Sequence, residues 1–128
     1  MAYDLGPQTC VSVEAGEDMS DWQYKVVFIN TSGKAVQFDD GGSEIPAGIL
    51  QNAPASGEAA KILVAGVTRA IADSSFALQN LLGAKEGDGK LTNTIASNYV
   101  VGQPLEAPGG DGEQFTCYVN FATTYVGS

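Results

Sequence analysis

The sequence predicts an all-β fold, a small β-sandwich or barrel-like domain. Three observations carry this. The apolar runs are short and bounded by turn residues, glycine occurs 16 times, and one strand–turn–strand layout is used twice. The layout is seen in "GILQNAPASGEAAKILVAG" (residues 48–66) and again in "GQPLEAPGGDGEQFTCYVNF" (residues 102–121).

The repeat aligns at an offset of 54 through its proline: Gly48, Ala53 and Pro54 match Gly102, Ala107 and Pro108. One inserted residue then brings Gly57-Glu58 onto Gly112-Glu113 and Val64 onto Val119. Each copy reads as a hairpin whose turn is built by proline and glycine. In the second copy Phe115, Cys117, Val119 and Phe121 alternate with Thr116, Tyr118 and Asn120, which puts one face in a core and the other toward solvent or a partner. In the first copy both alternating sets, Ile62 and Val64 against Leu63, Ala65 and Val67, are apolar, which calls for cover on both sides.

The remaining elements follow in order. Gly6-Pro7 ends regular structure near the start, so the first residues read as an extended arm. "CVSVE" (10–14) alternates as a strand, and "AGEDMSD" (15–21) is a loop. Val26, Val27, Phe28 and Ile29 form the strongest strand, and their unbroken apolar run predicts burial on both faces. Thr31-Ser32-Gly33 turns the chain into "KAVQF" (34–38), and "DDGGSE" (39–44) is a loop. Between the copies, "DSSFALQNLLG" (73–83) carries Leu78, Leu81 and Leu82 at helical spacing, with Ser74 or Asp73 to cap its start and Gly83 its end, and predicts one short helix. "KEGDGK" (85–90) is a charged turn. The sum is about seven strands and one helix, divided as an N-terminal arm with its first strand (1–22) and a single β-rich domain (23–128).

Composition narrows function. Acidic residues number 15 against 6 basic ones, a net charge of −9, and that field disfavours nucleic acid and anionic membranes as partners. Histidine is absent, which removes the commonest general base and metal ligand. The two cysteines, Cys10 and Cys117, are too few for a disulfide framework and read best as thiols within strands, a single bridge being the alternative. The first residues lack the basic and apolar regions of a signal peptide, and no window has the apolar length of a membrane span, so synthesis in the cytoplasm and a soluble product are expected.

The search for chemistry yields weak candidates. Ser32 and Lys34 are the nearest Ser–Lys neighbours but fall in a turn signal. Asp39-Asp40 is an adjacent carboxylate pair, which reads as a solvated turn before it reads as a hydrolase. "DDGGSE" and "EGDG" hold calcium-binding atom types without the ligand spacing of an EF-hand. Trp22 and Tyr24 read as core, as a protein interface, or as a sugar-stacking platform with Tyr99 and Tyr118. The expectation is a protein that is not an enzyme and takes no cofactor or metal.

"GILQNAPASGEAAKILVAGVTRAIA" (48–72) resembles a segment of the capsid decoration, or cement, proteins of tailed bacteriophages: a Gly-led strand, a Gly-Glu turn and a V-x-G-V strand. "ASNYVVGQPLEAPGGDGEQFTCYVNF" (96–121) is similar to the closing segment of that family, where V-G-x-x-L-E, here Val101, Gly102, Leu105 and Glu106, leads through a Gly-rich loop to the last strand. Residues 1–45 carry no such likeness. The resemblance implies a β-tulip-type domain that forms a homotrimer on the outer surface of the expanded capsid. It implies a virion protein that stabilises the shell by clamping subunits of the major capsid protein. Tyr3, Leu5, Val11, Met19 and Trp22 are then expected to touch the capsid, and Leu63, Val67 and Arg69 to form the trimer contacts. The competing expectation is a carbohydrate- or surface-binding module of adhesin type.

Overall fold

The two repeated stretches fold as two antiparallel hairpins, and the rest of the chain is arranged about them. The computed structural model describes residues 8–38, 45–85, 87–93, 99–121 and 125–126. Its strands are β1 (Thr9–Glu14), β2 (Val26–Ile29), β3 (Ala35–Gln37), β4 (Pro46–Leu50), β5 (Ala59–Ile71), β6 (Leu82–Ala84), β7 (Leu91–Thr92), β8 (Tyr99–Pro104), β9 (Gln114–Asn120) and β10 (Tyr125–Val126). They form a 10-stranded sheet in the order β3-β2-β4-β5-β9-β8-β6-β7, with β1 on β5 and β10 on β8. The fold is all-β, and the sheet curls on itself like part of a barrel.

The hairpins are β4–β5 and β8–β9, and their registers are the same. Ile49 faces Leu63 and Leu50 faces Ile62 in the first; Gln103 faces Tyr118 and Pro104 faces Cys117 in the second. Gly48 and Gly102 hold one position for one reason: a Cβ on either would collide with a carbonyl oxygen of the next strand, that of Leu63 or of Tyr118. Gly57 and Gly112 likewise share a left-handed turn, at φ of 88° and 86°.

The likeness extends well beyond the hairpins. In the first half the strands lie in the order β3-β2-β4-β5-β1; in the second they lie β7-β6-β8-β9-β5. Strand β5 thus closes the first half and opens the second. Loop contacts repeat with it. Ala15 exchanges backbone hydrogen bonds with Gly57 and Glu58 (2.9 and 2.8 Å), and Ala72 does so with Gly112 and Glu113 (2.8 and 2.9 Å). Isolated parallel bridges join Ala15 to Ala35 and Ala72 to Leu91. The Lys61 N–H donates to Asn52 Oδ1 at 3.0 Å, and the Thr116 N–H donates to Glu106 Oε1 at 2.9 Å. The chain is an internal duplication in which one strand belongs to both copies.

Two core clusters lie on opposite faces of the first half. Ala15, Met19, Trp22, Val27, Ala35, Leu50, Ala60 and Ile62 form the smaller one, roofed by the segment from Ala15 to Trp22. Val26, Ile49 and Leu63 point the other way, into the larger cluster that includes Phe76, Leu82, Leu91, Val101, Phe115, Cys117, Val119 and Phe121. This is why apolar residues run consecutively in β4, β5 and the start of β2: both faces are covered there, whereas Ile29 at the end of β2 is exposed. The register between β1 and β5 slips where Thr9 meets Ala65 and Cys10 meets Leu63, so Val64 is skipped. An extra residue reverses the parity of a strand. Odd-numbered Leu63 faces the large core before the slip, and even-numbered Ala70 faces it afterwards. Beyond Gly66, at φ 132°, Thr68 is buried, and its hydroxyl lies 3.0 Å from Nε2 of Gln51, at the end of β4.

One expectation is corrected. Residues 73–81 form a loop that leads into β6, and no described residue is in an α-helix. The helical spacing of the leucines is not used: Leu78 and Leu81 are exposed while Leu82 is buried beside Gly102. What anchors the segment is Phe76, whose ring meets Phe115 edge-on at 5.3 Å, and an Asn80 side chain that accepts from the Ala77 N–H at 3.1 Å. The strand expected over 10–14 is β1, which pairs with β5 over its whole length, and Ala15, Met19 and Trp22 behind it are buried, while residues 1–7, read as an extended arm, lie outside the described residues.

The duplicated glycines make a paired test. Gly57→Ala and Gly112→Ala meet open space and suffer only an unfavourable φ, so each is expected to lower stability by about 1–2 kcal/mol. Gly48→Ala and Gly102→Ala must push two strands apart, so each is expected to lose roughly 3 kcal/mol or to fail to fold. Urea unfolding of the four variants reads the ranking.

Candidate interaction surface

The residues singled out in the sequence fall into three groups. Tyr3 and Leu5 lie outside the described residues, as do Asp39 and Asp40. Met19, Trp22 and Leu63 are interior, at 0%, 8% and 0% exposure, and so cannot be the surface contacts expected of them. Val11 is exposed on β1, and Arg69 is exposed on β5 beside half-buried Val67.

Trp22 is held by several contacts. Its indole Nε1–H donates to the Val26 carbonyl at 2.7 Å, Lys25 Nζ lies 4.7 Å from the ring centroid, and Gly89 packs so closely that a side chain there would strike the indole. An apolar ring roofing a core is what lets the loop of residues 15–22 lie flat on β2, β4 and β5. Trp22 is therefore unavailable as a sugar-stacking platform, and of its expected companions Tyr24 is half-buried and Tyr118 is exposed.

The candidate chemical groups are engaged in turns. The N–H groups of Ser32 and Lys34 both donate to Asn30 Oδ1 at 3.0 Å, an Asx-type turn, while Lys34 Nζ reaches Glu14 at 3.4 Å. Asp88 of the charged turn lies 3.4 Å from Lys85 and 4.0 Å from Lys90. Among the described residues no cluster of three or more His, Cys, Asp or Glu side chains has metal-binding geometry. Both cysteines are free thiols: Cys10 is half-buried, and Cys117 is wholly buried, which pushes its thiol pKa far up.

Charge is tied down in a few places. Lys90 donates to Asp111 at 2.8 Å, linking the turn before β7 to the loop before β9. That bond holds the Asp111 carboxyl below its ordinary range and raises the Lys90 ammonium above its own. Thr116, by its hydroxyl and its N–H, holds the Glu106 carboxyl low, and Arg69 adds in the same direction.

The sequence missed one surface feature. On the outer face of the second half, Tyr118 stands 50% exposed on β9 between Val67 of β5 and Gln103 of β8. Leu81, 40% exposed, continues the row, since Leu82 pairs with Gly102. Alternation along β9 does put Tyr118 outside; what hid the row is that its members come from four separate segments.

No family model and no curated protein sequence matches the chain. Among solved structures it is similar to the N base of the head fiber gp8.5 of bacteriophage phi29, with a TM-score of 0.65, 16% identity, and coverage of 90% of this chain and 96% of that one. The two share a fold over nearly their whole lengths.

Two outcomes follow from these contacts. Trp22→Ala empties a ring-sized space in the smaller core and is expected to cost about 3–5 kcal/mol in thermal or denaturant unfolding. Depressed carboxyls contribute stability above their unfolded pKa and lose it as pH falls through the folded one. Stability is therefore expected to decline on acidification through about pH 4 and below, less steeply in an Asp111→Asn, Glu106→Gln double variant. Melting curves across the acid range read the difference in slope.

Proposed function

We propose that the chain is a structural protein of a phage head, bound to the outer surface of the expanded capsid, where it stabilises the shell by clamping subunits of the major capsid protein. The observation that carries this reading is the fold shared with a phage head-fiber base over 96% of that structure. The physics of the chain supports it. Both halves are built on hairpins, and the candidate chemical groups Ser32, Lys34 and Asp88 are held in turns. Such a body binds through area and shape rather than chemistry. A homotrimer on the shell fits the same role.

A second reading is favoured by the same neighbour: the chain is the base of a head appendage rather than a cement. Both readings place the protein on mature heads, so the first test is whether it co-purifies with mature particles and is absent from unexpanded proheads. A protein found on neither sinks both. The second test heats or chelates DNA-filled heads with and without it. Earlier rupture of bare heads is the expected result for a clamp, and unchanged rupture leaves the appendage base.

A further inference from the structure

The duplication shows that one row of the second half lacks cover. In the first half Val26, Ile49 and Leu63 lie side by side across β2, β4 and β5, and all are wholly buried in the large core. The matching registers make Leu81, Gln103 and Tyr118 their counterparts. These three are exposed, and Val67 lengthens the row on the far side of Tyr118. The same backbone surface is thus interior in one half and open in the other.

What covers the first row is this chain itself, since Val119 and Phe121 of the second half share its core. The open row is bordered by charge of both signs. Arg69 pairs across the strands with Thr116, and the Thr116 N–H is held by Glu106, so a cation and a carboxylate lie side by side. Three of the other cations, Lys34, Lys85 and Lys90, are in ion pairs with the chain's own acids, and Lys25 lies over Trp22. On a protein of net charge −9, a second copy is repelled by most of the surface. A face carrying both signs is complementary to itself.

We propose that copies of this chain pack on one another through this face, with Tyr118 at its centre and Arg69 of one copy against Glu106 of the next. The proposal gives a surface to the self-association in the reading above, and it rests on the geometry of the chain alone. Charge depletion around a central tyrosine is the composition of an interface core.

The test is sedimentation of the full chain over a range of concentrations, with the melting temperature followed in parallel. The wild type is expected to associate. Tyr118→Asp and Arg69→Glu, both at exposed sites, are expected to weaken association at least tenfold with little change in melting. Val11→Asp, on exposed β1 of the first half, is expected to associate as the wild type does. A wild type that stays monomeric at its highest soluble concentration overturns the proposal. So does a Tyr118→Asp protein that associates normally, including one that loses only its binding to phage particles. Equal loss in Val11→Asp overturns it too. The measurement uses no phage particle, so its failure is separate from failure of the capsid reading.

Discussion

Strand β5 is the constraint on which the rest depends. Its first residues pair with β1 and β4, and its last seven pair with β9. A strand used in this way must serve two cores on different sides, and a strict two-residue alternation cannot do so. The skipped residue at Val64 and the unusual backbone at Gly66 reverse the parity at the junction of the halves. The curl of the sheet follows, and with it the chance to enclose Leu63, Ala70 and Val119 in one cluster. Neither half is complete alone, because each would lose the strand that opens or closes it.

The halves keep their backbone pattern and differ in side chains. The glycines that permit close strand approach, the turn glycines and the alanines that receive the turns are in matching places. These are positions where backbone geometry leaves little choice of residue. Where geometry permits many residues, the halves have diverged. Met19 roofs one core and Phe76 the other; Asn52 and Glu106 accept the same backbone N–H with different chemistry. A clear divergence is at Leu63 and Tyr118, one wholly buried and the other half exposed. The divergence follows cover: the chain itself buries this face in one half and leaves it open in the other.

Electrostatics in this chain serves mainly to hold turns. Among the described residues its carboxylates lie in loops and at strand ends, and several of its few cations are spent on holding turns, such as the link from Lys90 to Asp111. Exposed ion pairs of this kind contribute little to stability individually. Their use here is positional: they tie the 85–90 turn to the loops before β6 and β9. The neighbouring fold in a head-fiber base shows the same frame in another protein, at an identity low enough that only the frame is common.

The sequence by itself determined the fold class, the two hairpins and their turn glycines, because these rest on local rules: alternation, turn chemistry and the steric needs of close strands. It also determined that Tyr118 points out while Cys117 points in. Only the tertiary structure decided three things. It made residues 73–81 a loop, since Phe76 gained more by meeting Phe115 than the leucines gained from a helical stripe. It placed Met19 beneath the surface and chose core among the three readings of Trp22, because the segment that holds them is needed to roof a core that no local pattern reveals. And it extended the duplication from the hairpins to the strands and loops around them, a relation carried by backbone hydrogen bonds, in which side-chain identity is almost silent.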